Sequence, residues 1–341
     1  MYRIICYVIV LALASMACGV NARVVVDQAG RSVNIPDRIQ RVYVAAPPLM
    51  VLAHAISPNK LIGLSFAFEE EGKRFISPQI AALPVLGVTI GSGPTMNPET
   101  VMRYKPDLAL AWASPFSDQK KLEDTFKRMG LPVVFVRLNT YNDWPAALEF
   151  TGAILGSPKR GKMLAAYMRT SLKKVTQAVS TIPENEKVRV YYAEGVNGLM
   201  TDCHSSFHTE VIKLAGGHNV YRCKPKGHYG MEPISLEQVL AYDPQVIIAQ
   251  DRHFVAKVKT DPRWRRIRAV REGRIYSIPH WPFNWFDRPP STMRALGIQW
   301  LAQILYPERF KVDMRRESKF FYKLFLGVPL SNTDLDRLLA P

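Results

Sequence analysis

The sequence predicts an α/β protein of two similar lobes, each a mainly parallel sheet flanked by helices, joined by one long helix. Three observations lead there. Apolar runs of strand length alternate with helical runs along most of the chain. A segment repeats: Asn97, Glu99, Val101, Tyr104, Pro106 and Ala111 stand at one constant offset from Ser235, Glu237, Val239, Tyr242, Pro244 and Ala249. Each copy follows a strand opening Arg-Val-Tyr, at Arg41 and at Arg189. Between the copies, residues 158–180 read as a single helix. Ser157 can cap it and Pro158 suits its first position. Met163 or Leu164, Met168, Leu172, Val175 and Val179 share one face, basic residues fill the other, and Pro183 ends the run. Such a helix is roughly 35 Å long, about one domain diameter.

In order, residues 23–27 read as a strand, and the turn at Gly30 leads to a buried strand over 41–45 that ends at Ala46-Pro47-Pro48. A helix over 49–56 follows, then strands over 60–64 and 84–87, with Phe66, Phe68 and three glutamates in the loop between. The Gly91-Ser92-Gly93 turn precedes the helix opened by Asn97. Residues 107–112 form an apolar strand needing cover on both faces, as in a parallel sheet. A helix over 118–129 closed by Gly130, a strand over 133–137 and a helix over 143–155 complete the lobe. The second lobe runs through a strand over 187–193, a loop over 194–198, a helix over 208–215, the Ser235 helix and a strand over 246–249. A helix over 261–270, a strand over 274–278, an aromatic loop over 279–290 and a helix from Ser291 to Leu305 follow.

The expected organisation is a leader over 1–22, lobes over 23–156 and 183–307, the bridge over 157–182, and a basic extension over 308–341. Arg3, an apolar run too short to span a membrane, and Val20-Asn21-Ala22 make the leader a signal peptide. The rival is a lipidated Cys18, for which Ser15-Met16-Ala17 is a poor lipobox. Export predicts a periplasmic protein. The chain carries +16, and +15 once Arg3 is removed with the leader. That balance favours anionic ligands or surfaces; no nucleic-acid motif is present. Arg309, Lys311, Arg315, Arg316, Lys319 and Lys323 contribute a solvated helix face in the extension. Cys203 and Cys223 remain after cleavage, an even pair that suggests a disulfide in an oxidising compartment, with free thiols or a metal site as alternatives.

Ligands of α/β lobes sit beyond the carboxyl ends of strands. That rule selects Pro47, Phe66, Trp112, Arg137, Glu194, Arg252, Trp281, Trp285 and Arg288, with His228 from the Gly227–Gly230 loop. An aromatic cleft with a few cations suits a large, partly flat anionic ligand such as a metal chelate; about half of the aromatics in 281–286 should instead plug the core. His204, His208 and His228 are candidate metal ligands within the Cys203–His228 stretch, which an exported metalloenzyme would use. No CxxC pair, HExxH, nucleophile elbow, P-loop or dinucleotide fingerprint accompanies them. His54 reads as structural. Glu99 and Glu237 satisfy helix dipoles, or form equivalent carboxylates for a two-fold symmetric partner.

Three motifs, Met96-Asn97-Pro98-Glu99 with Lys105-Pro106-Asp107-Leu108, Ile234-Ser235-Leu236-Glu237-Gln238-Val239-Leu240, and Trp285-Phe286-Asp287-Arg288, resemble the helical-hinge periplasmic binding proteins of iron-siderophore, haem and vitamin B12 ABC importers. The resemblance covers residues 24–307. It implies a monomeric, non-enzymatic substrate-binding protein with no intrinsic cofactor. It implies docking of Glu99 and Glu237 on arginines of an inner-membrane permease dimer, and a cleft lined by Trp285 and Arg288. Gly216-Gly217-His218-Asn219-Val220 is similar to a turn in relatives that handle iron complexes, so an iron(III) chelate is the expected cargo. Cobalamin, haem, molybdate or tungstate, and nickel complexes are the alternatives within the same architecture.

Overall fold

The computed structural model describes residues 22–224 and 230–340. Residues 1–21 of the leader, Cys18 among them, and His228 lie outside the described residues. A hairpin of β1 (Ala22–Val26) and β2 (Ser32–Pro36) precedes the first lobe. That lobe runs β3 (Val42–Val44), α1 (Pro47–Ile56), α2 (Pro98–Arg103), β4 (Leu108–Trp112), α3 (Gln119–Arg128), β5 (Val133–Val136) and α4 (Asp143–Ile154). The bridge is α5 (Pro158–Val179). The second lobe runs β6 (Arg189–Ala193), α6 (Glu210–Leu214), β7 (His218–Asn219), α7 (Leu236–Tyr242), β8 (Val246–Ala249), α8 (Arg252–Val258), β9 (Ile275–Ser277) and α9 (Arg294–Leu305). Helices α10 (Met314–Phe321) and α11 (Asn332–Leu338) form the extension. Both lobe sheets are parallel, ordered β3-β4-β5 and β9-β8-β6-β7.

The repeat is visible in the hydrogen bonds. Asn97 Oδ1 accepts from Thr100 N and Ser235 Oγ from Gln238 N, so each copy caps its own short helix. Each helix leaves through a left-handed non-glycine residue, Lys105 or Asp243, just before its proline. Tyr43 and Tyr191, from the two Arg-Val-Tyr strands, donate to the carbonyls of Gly87 and Gly198 at 2.8 and 2.7 Å.

Strand residues alternate between faces, and that parity divides the core. Val42, Val44, Leu108, Leu110, Val134 and Val136 of one lobe, with Val190, Tyr192, Val246 and Ile248 of the other, enter a single central core. Leu164, Met168, Val175 and Val179 of α5 lie in the same core, so the bridge is the shared wall of both lobes. Gly152 of α4 and Gly161 of α5 meet face to face; a Cβ on Gly161 would overlap the Leu148 carbonyl oxygen. Across the lobes, Tyr141 N donates to Glu210 Oε2 at 2.9 Å, and Arg294 of the second lobe holds the same oxygen at 3.0 Å.

Several expected elements are shorter than the sequence suggests. Segments 60–64 and 84–87 make only isolated bridges, Val42↔Leu61 and Leu64↔Val85. Residues 261–270 form turns around the buried Trp264, with one helical turn at Arg268–Arg271. The extension is more than a solvated face. Its basic residues are exposed, but Phe321, Tyr322, Phe325, Leu326, Leu335 and Leu338 are buried in the central core. Arg160 of the bridge donates to Leu324 O at 2.9 Å, Phe75 packs on Tyr322, and Tyr322 hydrogen-bonds the Trp281 carbonyl. The extension thus clasps both lobes and the bridge.

Candidate functional site

The carboxyl ends of the strands in the two lobes face one cleft, which has two chambers. The outer, of about 470 Å³, lies between Phe66, Phe68 and Glu69 of the first lobe and Gln250, Arg252, His253, His280, Trp281 and Arg288 of the second. The inner, of about 240 Å³, is lined by Pro47, Trp112, Ser114 and Phe116 facing Phe207, His208, Asp287 and Arg288. Phe66 from one lobe and Arg288 from the other line both chambers.

Parity explains which expected residues arrive. Trp112 follows Leu108 and Leu110 on the inner face of β4 and reaches the cleft; its Nε1 donates to Asn139 at 3.1 Å. Arg137 follows Val133 and Phe135 on the outer face. It bonds Gln28 with both its backbone N–H and its guanidinium and lines neither chamber, so the expectation of a second cleft cation there is corrected. Arg252 takes that place: its guanidinium lies 6.0 Å from the Trp281 ring centre and forms no salt bridge among the described residues. Trp285 is also corrected. It is 0 % exposed, packed in the core beside Tyr322, because the extension closes over it. Phe286 is buried likewise, whereas Trp281 and Phe283 line the outer chamber.

Electrostatics gather around Arg288. Its guanidinium contacts Glu194 Oε1 at 2.6 Å and Asp287 Oδ2 at 3.5 Å. Asp287 also holds His208 Nδ1 at 2.5 Å and accepts from the Tyr192 hydroxyl at 3.0 Å. Burial alone would raise Asp287, but His208 and Arg288 outweigh it and hold the carboxyl below its usual range. Glu194 fares the opposite way. Burial, and then the charge of Asp287, push it up to about 7 against the pull of Arg288. One guanidinium serves two buried carboxylates, and Glu194 Oε2 has no hydrogen-bond partner among the described residues. Burial also lowers His280, which favours its neutral form.

The metal reading of the Cys/His stretch does not hold for the residues described. Cys203 and Cys223 are joined as a disulfide, their Cα atoms 5.3 Å apart. With Glu232 they are the one metal-like grouping among the described residues, and the disulfide consumes both thiols. His204 Nδ1 accepts from Cys223 N, and His208 is engaged by Asp287. His54 is buried among the apolar residues of α1, as expected. Sequence reasoning missed His208 as a cleft residue, along with Phe116, Phe207 and His280. Asp287 lines the inner chamber from within the Trp285-Phe286-Asp287-Arg288 motif. Glu99 and Glu237 are exposed in the first turns of α2 and α7.

The family model described as "Periplasmic binding protein" matches residues 73–281, more than half of the chain. The chain belongs to this family. Over 89% of its length it is 26% identical to the molybdate-binding protein MolA of Haemophilus influenzae, covering 90% of that protein. It is 25% identical to a vitamin B12-binding protein of Vibrio parahaemolyticus, over 58% of this chain and 68% of that one. Among solved structures, an ABC transporter solute-binding protein from Sulfurospirillum deleyianum superposes with a TM-score of 0.87 at 35% identity, covering 94% of this chain and 99% of that one. This periplasmic binding protein is therefore the substrate-binding component of an ABC transporter, not an enzyme. What it holds is cargo rather than an intrinsic cofactor. No described helix is long and apolar enough to cross a membrane.

Proposed function

We propose that the cargo is a compact anionic metal complex with an aromatic or apolar coat, in the first place an iron(III) chelate of the siderophore class. The observation that carries this reading is Phe66 and Arg288, facing one another from opposite lobes and lining both chambers. A ring and a guanidinium on opposite walls can grip a compact, diffusely charged body by stacking and charge together. Arg252 and Trp281 extend the same chemistry to the outer chamber. Because Arg288 is already engaged by Glu194 and Asp287, a hard dianion must compete with two carboxylates for it. A diffuse anion needs less of that exchange. On binding, Glu99 and Glu237 would present equivalent carboxylates to the permease in the inner membrane.

Titration of tryptophan fluorescence with ferric catecholate, ferric hydroxamate and ferric citrate tests the cargo. Saturable quenching by one of them, weakened by Arg252→Ala or Phe66→Ala, is expected; none with any ferric chelate refutes it. A molybdate-class oxyanion is the second reading. The likeness to MolA favours it, as does the small inner chamber with its His208 and Arg288 walls, and a response to molybdate or tungstate alone would establish it. Docking is tested by Glu99→Lys with Glu237→Lys. Uptake should vanish while cargo affinity stays, and lost affinity would make the two glutamates structural.

A further inference from the structure

A second concavity, of about 400 Å³, opens beside the disulfide at the β7 edge of the second lobe, and it shares no lining residue with either chamber of the cleft. Lys187, His204, Lys213, His218 and Arg222 converge on it, with Glu184 as its one carboxylate. These groups all lie within residues 184–222, and the fold of that segment around the Cys203–Cys223 disulfide brings them to one concavity. Glu184 is shared among three of them: Lys187 at 2.7 Å, His218 at 3.1 Å and Arg222 at 3.9 Å. Lys213 forms no salt bridge among the described residues. Three permanent cations against one carboxylate leave the pocket at +2 before either imidazole takes a proton.

We propose that this pocket is a binding site for a small tetrahedral dianion of the phosphate class, separate from the cargo site. The disulfide sets one of its donors. Cys223 N–H donates to His204 Nδ1 at 3.2 Å, so the neutral ring carries its proton on Nε2 and offers a donor without needing a charge. Cys223 is in turn fixed by its bond to the buried Cys203. Ser205 adds a hydroxyl to the lining, while the buried Thr209 spends its own on the Cys203 carbonyl at 2.6 Å. A guanidinium, an ammonium and a neutral N–H around one concavity match the charge-assisted hydrogen bonds that a phosphate takes. The same charge repels a divalent cation, which is why His204 and His218 mark an anion site here and not a metal site. The field agrees: after burial, the charges of Arg222, His218 and Lys213 lower His204.

A free phosphate and a lipid phosphate headgroup share this chemistry, and the experiment separates them. Inorganic phosphate is titrated into the full exported chain while the imidazole NMR resonances of His204 and His218 are followed, with sodium chloride at matched ionic strength as the control. Saturable shifts that chloride does not reproduce, weakened at least about tenfold in Lys213→Ala/Arg222→Ala, are expected for a free-phosphate site. Cosedimentation with phosphatidylglycerol vesicles but not phosphatidylcholine vesicles, lost in the same variant and reversed by phosphate, assigns the lipid source. A Cys203→Ser/Cys223→Ser variant should weaken either response by releasing the segment that orients His204. The proposal is overturned if phosphate and chloride act alike and the vesicles do not bind, or if the double alanine variant responds as the parent does.

Discussion

Glu194 should make this protein less stable as pH rises through neutrality. The carboxyl is fully buried and shares Arg288 with Asp287, which keeps its proton poorly. In the fold Glu194 titrates at about 7, against an ordinary value of 4.5. The native state therefore holds a proton that the unfolded chain has released, and stability must fall with pH across that interval. The contribution is intact below the ordinary value and is lost as pH climbs through about 7. A displacement of that size corresponds to about 3 kcal/mol. Glu194→Gln preserves the shape and removes the ionisation. Urea unfolding of parent and variant, at about pH 4.5 and about pH 8, measures the difference between them. The parent should lose about 3 kcal/mol relative to the variant between those conditions. A difference that stays constant with pH would show that Arg288 neutralises Glu194 fully, and the account of one cation divided between two carboxylates would fail.

The other expectations concern the frame. Gly161→Ala forces a methyl onto the Leu148 carbonyl where α4 crosses α5. Overpacking of about 1–3 kcal/mol, less the helix preference of alanine at about 1, should lower the urea midpoint, and a raised midpoint would mean the crossing is slack. The Cys203–Cys223 disulfide, with its sequence separation of 20, closes a loop worth about 3 kcal/mol in the unfolded chain. Cys203→Ser/Cys223→Ser should show that loss, and reduction of the parent should match it; a variant as stable as the oxidised parent contradicts this. Ending the chain at Glu308 uncovers the central core under Phe321, Tyr322, Phe325 and Leu335, each worth about 1.5–3 kcal/mol when buried. The shortened chain should bind a hydrophobic dye or fail to fold, whereas an unchanged melting curve would show the extension to be dispensable.

Much of this was legible before any coordinates. The bridge ends within one residue of its expected limit, because proline, a periodic apolar face and a basic back are local instructions. The repeat was readable for the same reason: caps and prolines recur at a constant offset and build the same turn twice. The strand-end rule brought Pro47, Phe66, Trp112, Arg252, Trp281 and Arg288 to the cleft. Arg137 could have been excluded in advance, since counting by twos from Val134 and Val136 places it on the outer face. Trp285 could not: nothing near it in the chain announces that an extension from beyond Pro307 will cover it.

The amino-acid order by itself determined the lobes, the rod between them, the paired glutamates and the residues at the strand ends, because each is encoded over a few turns or a single alternation. Only the tertiary structure decided which aromatic rings face solvent, which carboxylates divide one guanidinium, and which scattered cations meet beside the disulfide. The first two depend on segments far apart in sequence competing for the same space and the same charge, and the third on how residues 184–222 fold back on themselves; no local pattern records either.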